Sequence, residues 1–363
     1  MNFILLDLFP LLLLILFLIG VRPIQKNTSL GPEGTVNQSY LSKEMGNAWR
    51  GLFAIVVLLH HLSQRTDPGL AFRLFRPAGY LAVAVFFFFS GYGLQKSHMA
   101  SENYQNKFLQ KRLLKILLPY AFVTLLYWVL FAVNGTVFSL KDVALSLVNG
   151  DPIAFASWYI LSICYFYVVY WLFMLTCKRR FNLMVLCAAL YFVVYAILCR
   201  VFGYDEWWYN ASHLLVLGML WATHEQRILH VIAKRYYLLA GCTLVGFLAS
   251  FGALYADLLT GLMWELVLSW ISAALFVGMV LLVSMKIRIQ NPILQFLGKI
   301  SMEIYLIHGL FMRGLRSELL RVENDFLWAC LIIVGSVLLG WGFNKLCSWA
   351  FRPISKNKKQ KAS

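Results

Sequence analysis

The sequence predicts an all-α, polytopic integral membrane bundle of about eleven transmembrane helices, a ten-helix core preceded by one N-terminal helix. Three observations predict it. Hydrophobic residues make up 61% of the chain and charged residues only 13%, with a mean hydropathy of +0.71. Apolar stretches of roughly 17–25 residues recur from one end to the other, the length a helix needs to cross a bilayer. These stretches lack the short apolar–polar alternation of barrel strands. Inside lipid each segment must satisfy its own backbone N–H and C=O groups, so such runs are helices.

The predicted spans are 3–20, 47–63, 79–95, 117–133, 158–176, 181–200, 211–223, 237–256, 262–285, 293–312 and 326–346. The stretch 3–20 reads as a retained helix. It has no basic segment before it, carries Asp7 near its start, and is followed by Arg22 where a cleavable leader would show small residues. Residues 21–46, rich in Gly, Ser, Thr and Asn, read as a linker. Residues 102–116 (ENYQNKFLQKRLLKI) are basic and amphipathic, as suits a helix lying at the membrane surface. The organisation expected is residues 1–45 as helix and linker, 46–350 as the membrane core and 351–363 as a basic tail. With no soluble domain read in the sequence, chemistry is expected in or beside the bundle.

The formal net charge of +16 raises nucleic acid as a partner, but the placement of the charge excludes it. Lys and Arg sit in short loops between apolar runs and in the tail at Lys356, Lys358, Lys359 and Lys361. A nucleic-acid face would be a basic stripe on a solvated domain. With the N-terminus outside and the C-terminus cytoplasmic, 24 of the 32 Lys and Arg fall inside, as the positive-inside rule requires of an odd number of spans. The outer exceptions cluster at Arg65, Arg73 and Arg76 and at Arg313, Arg316 and Arg321. The seven cysteines are scattered through apolar segments without a C-x-x-C pair, so neither a disulfide framework nor a metal site is expected.

Ionisable residues within a span are costly and mark function by default. The second span reads GNAWRGLFAIVVLLHHLSQ. Eleven residues separate Arg50 from His61, which returns the helix azimuth to within about 20° over a rise of about 16 Å. His60 falls about 80° off that line. One helix face therefore carries a fixed cation near its inner end and an imidazole near its outer end. An Arg that snorkels to headgroups and a His in interfacial water would give the same spacing. His61 suits a general base because its ordinary pKa lies near neutrality.

Ser301, Tyr305 and His308 follow an i, i+4, i+7 stripe that places them on one face of their span. His308 reads equally as a catalytic group and as a hydrogen-bonded core residue. Ser90, with Gly91 and Gly93, reads first as a small-residue packing surface and second as a nucleophile. Trp158 and Tyr159 open a span at the outer boundary, as interfacial anchors or as a surface for a sugar. Glu265, Asp257 and His213 are further polar groups near outer helix ends, any of which could orient His61.

WRGLFAIVVLLHH resembles the first core helix of acyltransferase family 3, the integral-membrane O-acyltransferases, in which an Arg is followed after ten residues by a His. FFFFSGYGL (86–94), FLQKRLLKILLPY (108–120), WYIL (158–161, with Ile160 inserted before the Leu) and FLGKISMEIYLIH (296–308) are similar to four further family segments and occur in the family's order. The likeness covers about residues 40–350. It departs from the family in the added 3–20 helix, in Lys115 where Arg is commoner, and in Arg352-Pro353 without a preceding Glu.

The resemblance implies a transferase that moves an acyl group, most simply acetyl, from cytoplasmic acetyl-CoA or another acyl-CoA to a hydroxyl of a cell-surface polysaccharide or lipid-linked sugar. It implies a bacterial inner or cytoplasmic membrane, with lipid and glycan as partners. Arg50, Arg112, Lys115 and Lys111 would hold the donor phosphates, although Lys111–Lys115 also serve as an orientation signal beside anionic lipid. His61 would act as general base or as an acyl relay. Arg65, Arg73 and Arg76 suit an anionic acceptor. The competing class is a transporter or flippase of a lipid-linked saccharide, which would show paired half-repeats with broken helices near the midplane. No such repeat is evident.

Overall fold

The computed structural model describes residues 5–24, 37, 39–67, 69–149, 151–256 and 261–350. Asp257, part of the linker and the basic tail lie outside them. The chain runs α1 (Leu8–Leu18), β1 (Val21–Pro23), α2 (Lys43–Ser63), α3 (Leu70–Arg73), α4 (Gly79–Ala100), α5 (Phe108–Val133), α6 (Leu140–Val148), α7 (Trp158–Cys177) and α8 (Phe181–Val201). A short 3₁₀ turn (Glu206–Trp208) leads to α9 (Leu214–Tyr255), α10 (Leu262–Ser284), β2 (Ile287–Ile289), α11 (Pro292–Lys299), α12 (Ser301–Leu315) and α13 (Asp325–Ala350). The protein is an all-α polytopic bundle. Six described helices are long and apolar enough to cross a membrane: α5, α7, α8, α9, α10 and α13.

Three expectations from the sequence are redrawn. The spans 211–223 and 237–256 are the two apolar limbs of α9, whose 42-residue run breaks where His224 and Arg235 leave helical dihedrals. The polar run between the apolar limbs is helical rather than a loop. The stretch 293–312 is broken at Ile300 into α11 and α12. Residues 102–116 do not form a separate surface helix: 102–107 are turns, and the remainder opens α5. α6 was not anticipated, although its capping box was legible in the sequence. The Ser139 hydroxyl accepts from Asp142 N, and the Asp142 carboxylate accepts from Ser139 N.

α2 lies at the centre, packed on α4, α11, α12 and α13. Burial explains why it tolerates Arg50, His60 and His61: its polar groups face protein rather than lipid. Two close helix crossings fix its surroundings. A Cβ on Gly51 would run into the Leu294 carbonyl, and one on Gly298 into the Asn47 carbonyl, so α2 and α11 touch backbone to backbone. Gly91 and Gly218 meet the Leu215 and Phe88 carbonyls in the same reciprocal way, joining α4 to α9. Gly93 has nothing within 4 Å and serves no packing contact. The lipid-facing sides of α5 and α8 expose Leu117, Leu118, Leu125, Leu186 and Leu190.

The N-terminal helix is tied down at both ends. The Asp7 carboxylate accepts from Phe72 N at 2.8 Å. The Asn291 amide donates to the Leu16 and Ile19 carbonyls, while its oxygen accepts from Ile293 N and Leu294 N. One side chain thus satisfies the open end of α1 and the start of α11. β1 and β2 pair antiparallel beside it, Val21 opposite Ile289.

Candidate active site

Two cavities flank the middle of the bundle, and α2 and α4 line both. Near the start of α2 and the end of α4 lies a cavity of about 790 Å³, bordered by Arg50, Ser90, Arg112, Lys115, Tyr159 and Ser301. Near the end of α2 and the start of α4 lies one of about 710 Å³, bordered by His60, His61, Gln64, Phe155 and Trp158. Tyr305 lines both. The phase argument for Arg50 and His61 therefore places each in a cavity, one at either end of the same helix.

In the Arg50 cavity the guanidinium is held by its own helix. Nε donates to the Gly46 carbonyl at 3.2 Å and Nη2 to Asn47 Oδ1 at 2.6 Å. Arg112 donates to the Tyr104 hydroxyl at 2.7 Å. Among the described residues no carboxylate borders this cavity, so Lys43, Arg50, Arg112 and Lys115 leave it cationic. Lys111, on the same helix, does not line it. Ser90 lines the cavity with Tyr159 and Tyr167, and the Ser301 hydroxyl donates to the Gly298 carbonyl at 3.1 Å. Neither serine has a histidine beside it in this cavity's lining.

The other cavity centres on imidazoles. His61 stacks on His308 at 5.2 Å between ring centres, with an interplanar angle of 19°, and meets His60 at 4.7 Å. His308 Nδ1 lies 3.2 Å from the Ile304 carbonyl. A carbonyl only accepts, so Nδ1 carries the proton and the Nε2 of the neutral ring presents a lone pair. That Nε2 is buried without a hydrogen-bond partner, as is Nδ1 of His61. The same reasoning applies to His60, whose Nδ1 lies 3.1 Å from the Phe75 carbonyl. Gln64, less than one turn beyond His61, lines the same cavity. His61 lines the cavity while His308, which does not, stacks against it, so an imidazole stands where attack by a hydroxyl needs a proton acceptor.

Tyr305 divides the cavities. Its hydroxyl donates to the Ala156 carbonyl at 2.6 Å, and its ring meets Tyr159 at 5.4 Å and His308 at 5.9 Å. Ala156 has a φ of 58°, a left-handed conformation that costs energy for a residue with a Cβ. This strained residue presents its carbonyl to Tyr305. Phe155, next in the same loop, packs against His61 at 4.8 Å and His308 at 5.7 Å.

The rim of the His61 cavity mixes charge: Arg65, Arg76 and Arg313 with Asp151, Asp205 and Glu206. Arg65 lies over the Phe155 ring at 4.7 Å. Glu206 stands outside the spans. Burial, then the Glu265 and Asp205 carboxylates, hold its carboxyl above the usual range. Arg73 does not line the cavity, and neither do His213 and Glu265. His213 Nε2 bonds the Trp270 carbonyl at 3.1 Å and its ring stacks on Trp270, so it does not orient His61. Sequence reasoning missed Gln64, Phe155 and Ala156. The first two carry no signal beyond residue type, and Ala156 gains its role only from a backbone angle. Among the described residues no cluster of His, Cys, Asp or Glu could hold a metal ion.

Residues 47–345 match the acyltransferase domain Acyl_transf_3. No curated protein and no solved structure matches the chain. The match begins within α2 just before Arg50 and ends near the close of α13, so it takes in every residue of both cavities from Arg50 onward. It leaves out α1 and the β1 strand. The chain belongs to acyltransferase family 3 and is a membrane acyltransferase.

Proposed function

We propose that the protein transfers an acyl group, most simply acetyl, from cytoplasmic acyl-CoA to a hydroxyl of a cell-surface glycan or its lipid-linked precursor. The observation that carries this reading is the pair of cavities at opposite ends of α2, one cationic and one holding imidazoles, with Tyr305 in the wall of each. Membership of an acyltransferase family decides for an enzyme over a transporter of lipid-linked saccharide.

The Arg50 cavity fits the donor by its chemistry. Four cations without a bordering carboxylate among the described residues suit a diphosphate, with Arg50 and Arg112 supplying planar forks and Lys43 and Lys115 point charges. The thioester arm would then run along α2 and α4 toward Tyr305. The charge bias of the loops supports placing this end at the cytoplasm.

In the His61 cavity Trp158, Tyr80 and Trp207 provide flat apolar faces suited to a sugar ring, and the acidic and basic rim groups suit its hydroxyls and any anionic substituent. The acceptor hydroxyl gives its proton to His61 as its oxygen attacks the thioester carbonyl. A C–O bond forms, the C–S bond breaks, and the proton passes from His61 to the departing thiolate. His308, held by the Ile304 carbonyl and stacked on His61, positions that ring. Direct transfer needs no other group.

Mass spectrometry of surface polysaccharide from cells with and without the protein tests the assignment. The expected result is loss of one acetyl increment per repeat unit on deletion. Identical glycan masses in both strains would overturn the glycan acceptor.

A further inference from the structure

A third cavity, of about 760 Å³, lies at the Arg50 end of the bundle, beside the last turns of α4. Lys96 from α4, Arg179, Arg180 and Phe181 from the α7–α8 turn, and His224 and Arg227 at the first bend of α9 border it. α9 bends in this wall, where His224 departs from helical geometry at φ −114° and ψ 18°.

The pocket is strongly cationic. Its one bordering carboxylate among the described residues, Glu225, is already committed: it pairs with Lys96 and accepts from the Tyr40 hydroxyl at 2.7 Å and the Tyr92 hydroxyl at 2.9 Å. Arg179 donates to the Met99 carbonyl at 3.1 Å and lies over the Phe181 ring. The side chains of Arg180 and Arg227 meet no carboxylate among the described residues. Gathering guanidinium groups without counter-charge costs electrostatic energy, and an arriving anion would recover it.

Two continuous links join this pocket to the donor cavity. Tyr92 lines the donor cavity and hydrogen-bonds Glu225, the partner of Lys96. On the other side Arg112 of the donor cavity bonds Tyr104, which stacks on His98 at 6.0 Å, and His98 meets Phe181 edge-on at 5.3 Å. An aromatic wall thus runs from one cavity to the other and ends in arginines.

We propose that this pocket is a phosphate-binding site and that it takes the terminal ribose phosphate of the donor whose thioester arm lies in the Arg50 cavity. A phosphomonoester brings close to two negative charges and three acceptor oxygens, which match arginine forks. The proposal rests on the acyl-CoA reading above. Anionic lipid headgroups offer the same phosphate chemistry at a membrane surface and are the alternative source.

Titration calorimetry on the purified full-length protein in detergent, with coenzyme A and with 3′-dephospho-coenzyme A, tests it. The wild type is expected to bind coenzyme A about tenfold or more tightly than the dephospho form, the worth of one charge-assisted contact. The double variant Arg180→Gln/Arg227→Gln, at exposed positions, is expected to erase that preference while leaving dephospho-coenzyme A binding unchanged. Equal wild-type affinities, or a preference that survives the double substitution, overturn the site. Binding of neither ligand overturns the donor reading, and this proposal with it. Native mass spectrometry with phosphatidylglycerol supplies the last arm. Lipid lost from the double variant, with the coenzyme A preference intact, would overturn the donor as the source of the phosphate.

Discussion

Substituting Arg50 by Gln and by Lys separates the guanidinium's charge from its fork. Nε and one Nη2 proton are engaged by Gly46 and Asn47, which press the group against α2 and leave the Nη1 donors for a ligand. A hydrogen bond to a charged group contributes about 1.5–3 kcal/mol. Two such bonds to a donor phosphate, discounted because the cavity admits water, give about 3 kcal/mol, or a factor of about 150 in affinity. Arg50→Gln is therefore expected to raise the KM for acyl-CoA by about that factor. Arg50→Lys retains the charge without the planar fork and is expected to lose about tenfold. The assay is transfer of label from acyl-CoA by purified protein, with donor affinity measured separately by calorimetry. A donor affinity unchanged in Arg50→Gln would refute the reasoning, because no other role given to Arg50 requires the ligand.

Tyr305→Phe keeps the ring between the cavities and removes its bond to the Ala156 carbonyl; the expectation is about 1 kcal/mol of lost stability and a few-fold rise in donor hydrolysis without acceptor, read by thiol release. Gly298→Val sets a side chain against the Asn47 carbonyl and is expected to destabilise by at least 1–3 kcal/mol, roughly an overpacking cost, whereas Gly93→Ala meets nothing and leaves the unfolding temperature unchanged. Glu206 has a folded-state pKa raised by burial and by Glu265 and Asp205, so its ionised form weakens the fold as pH rises through that value. Glu206→Gln is then expected to raise the unfolding temperature at pH 8 and leave it unchanged at pH 4; the same increment at both would count against the shift.

Much of α2 was legible because helical phase is local: eleven residues alone put Arg50 and His61 in line, and both border cavities. The Ser301, Tyr305 and His308 stripe was equally readable, but its consequence was not. That His308 lies on His61, and that Tyr305 lies between the cavities, depends on how α12 crosses α2. α12 starts from α11, which the Gly51 and Gly298 contacts with distant backbone carbonyls hold against α2. The break at Ile300 escaped notice although Lys299 and Ser301 flank it, because the apolar runs on either side together have the length of one span. α9 was read more nearly: its apolar limbs part at His224 and Arg235, where the backbone leaves helical dihedrals, but the polar residues between them are helical rather than a loop. Ala156 could not be found at all, since an alanine codon gives no sign of a positive φ.

The proton-accepting role of His61 bears most directly on the proposed chemistry, and transfer of labelled acetyl from acetyl-CoA in proteoliposomes measures it, comparing the wild type with His61→Ala. The expected result is a fall in transfer rate of about 10²–10⁴-fold, the usual contribution of a general base, with donor affinity unchanged because His61 does not line the donor cavity. Transfer at the wild-type rate by His61→Ala would contradict it.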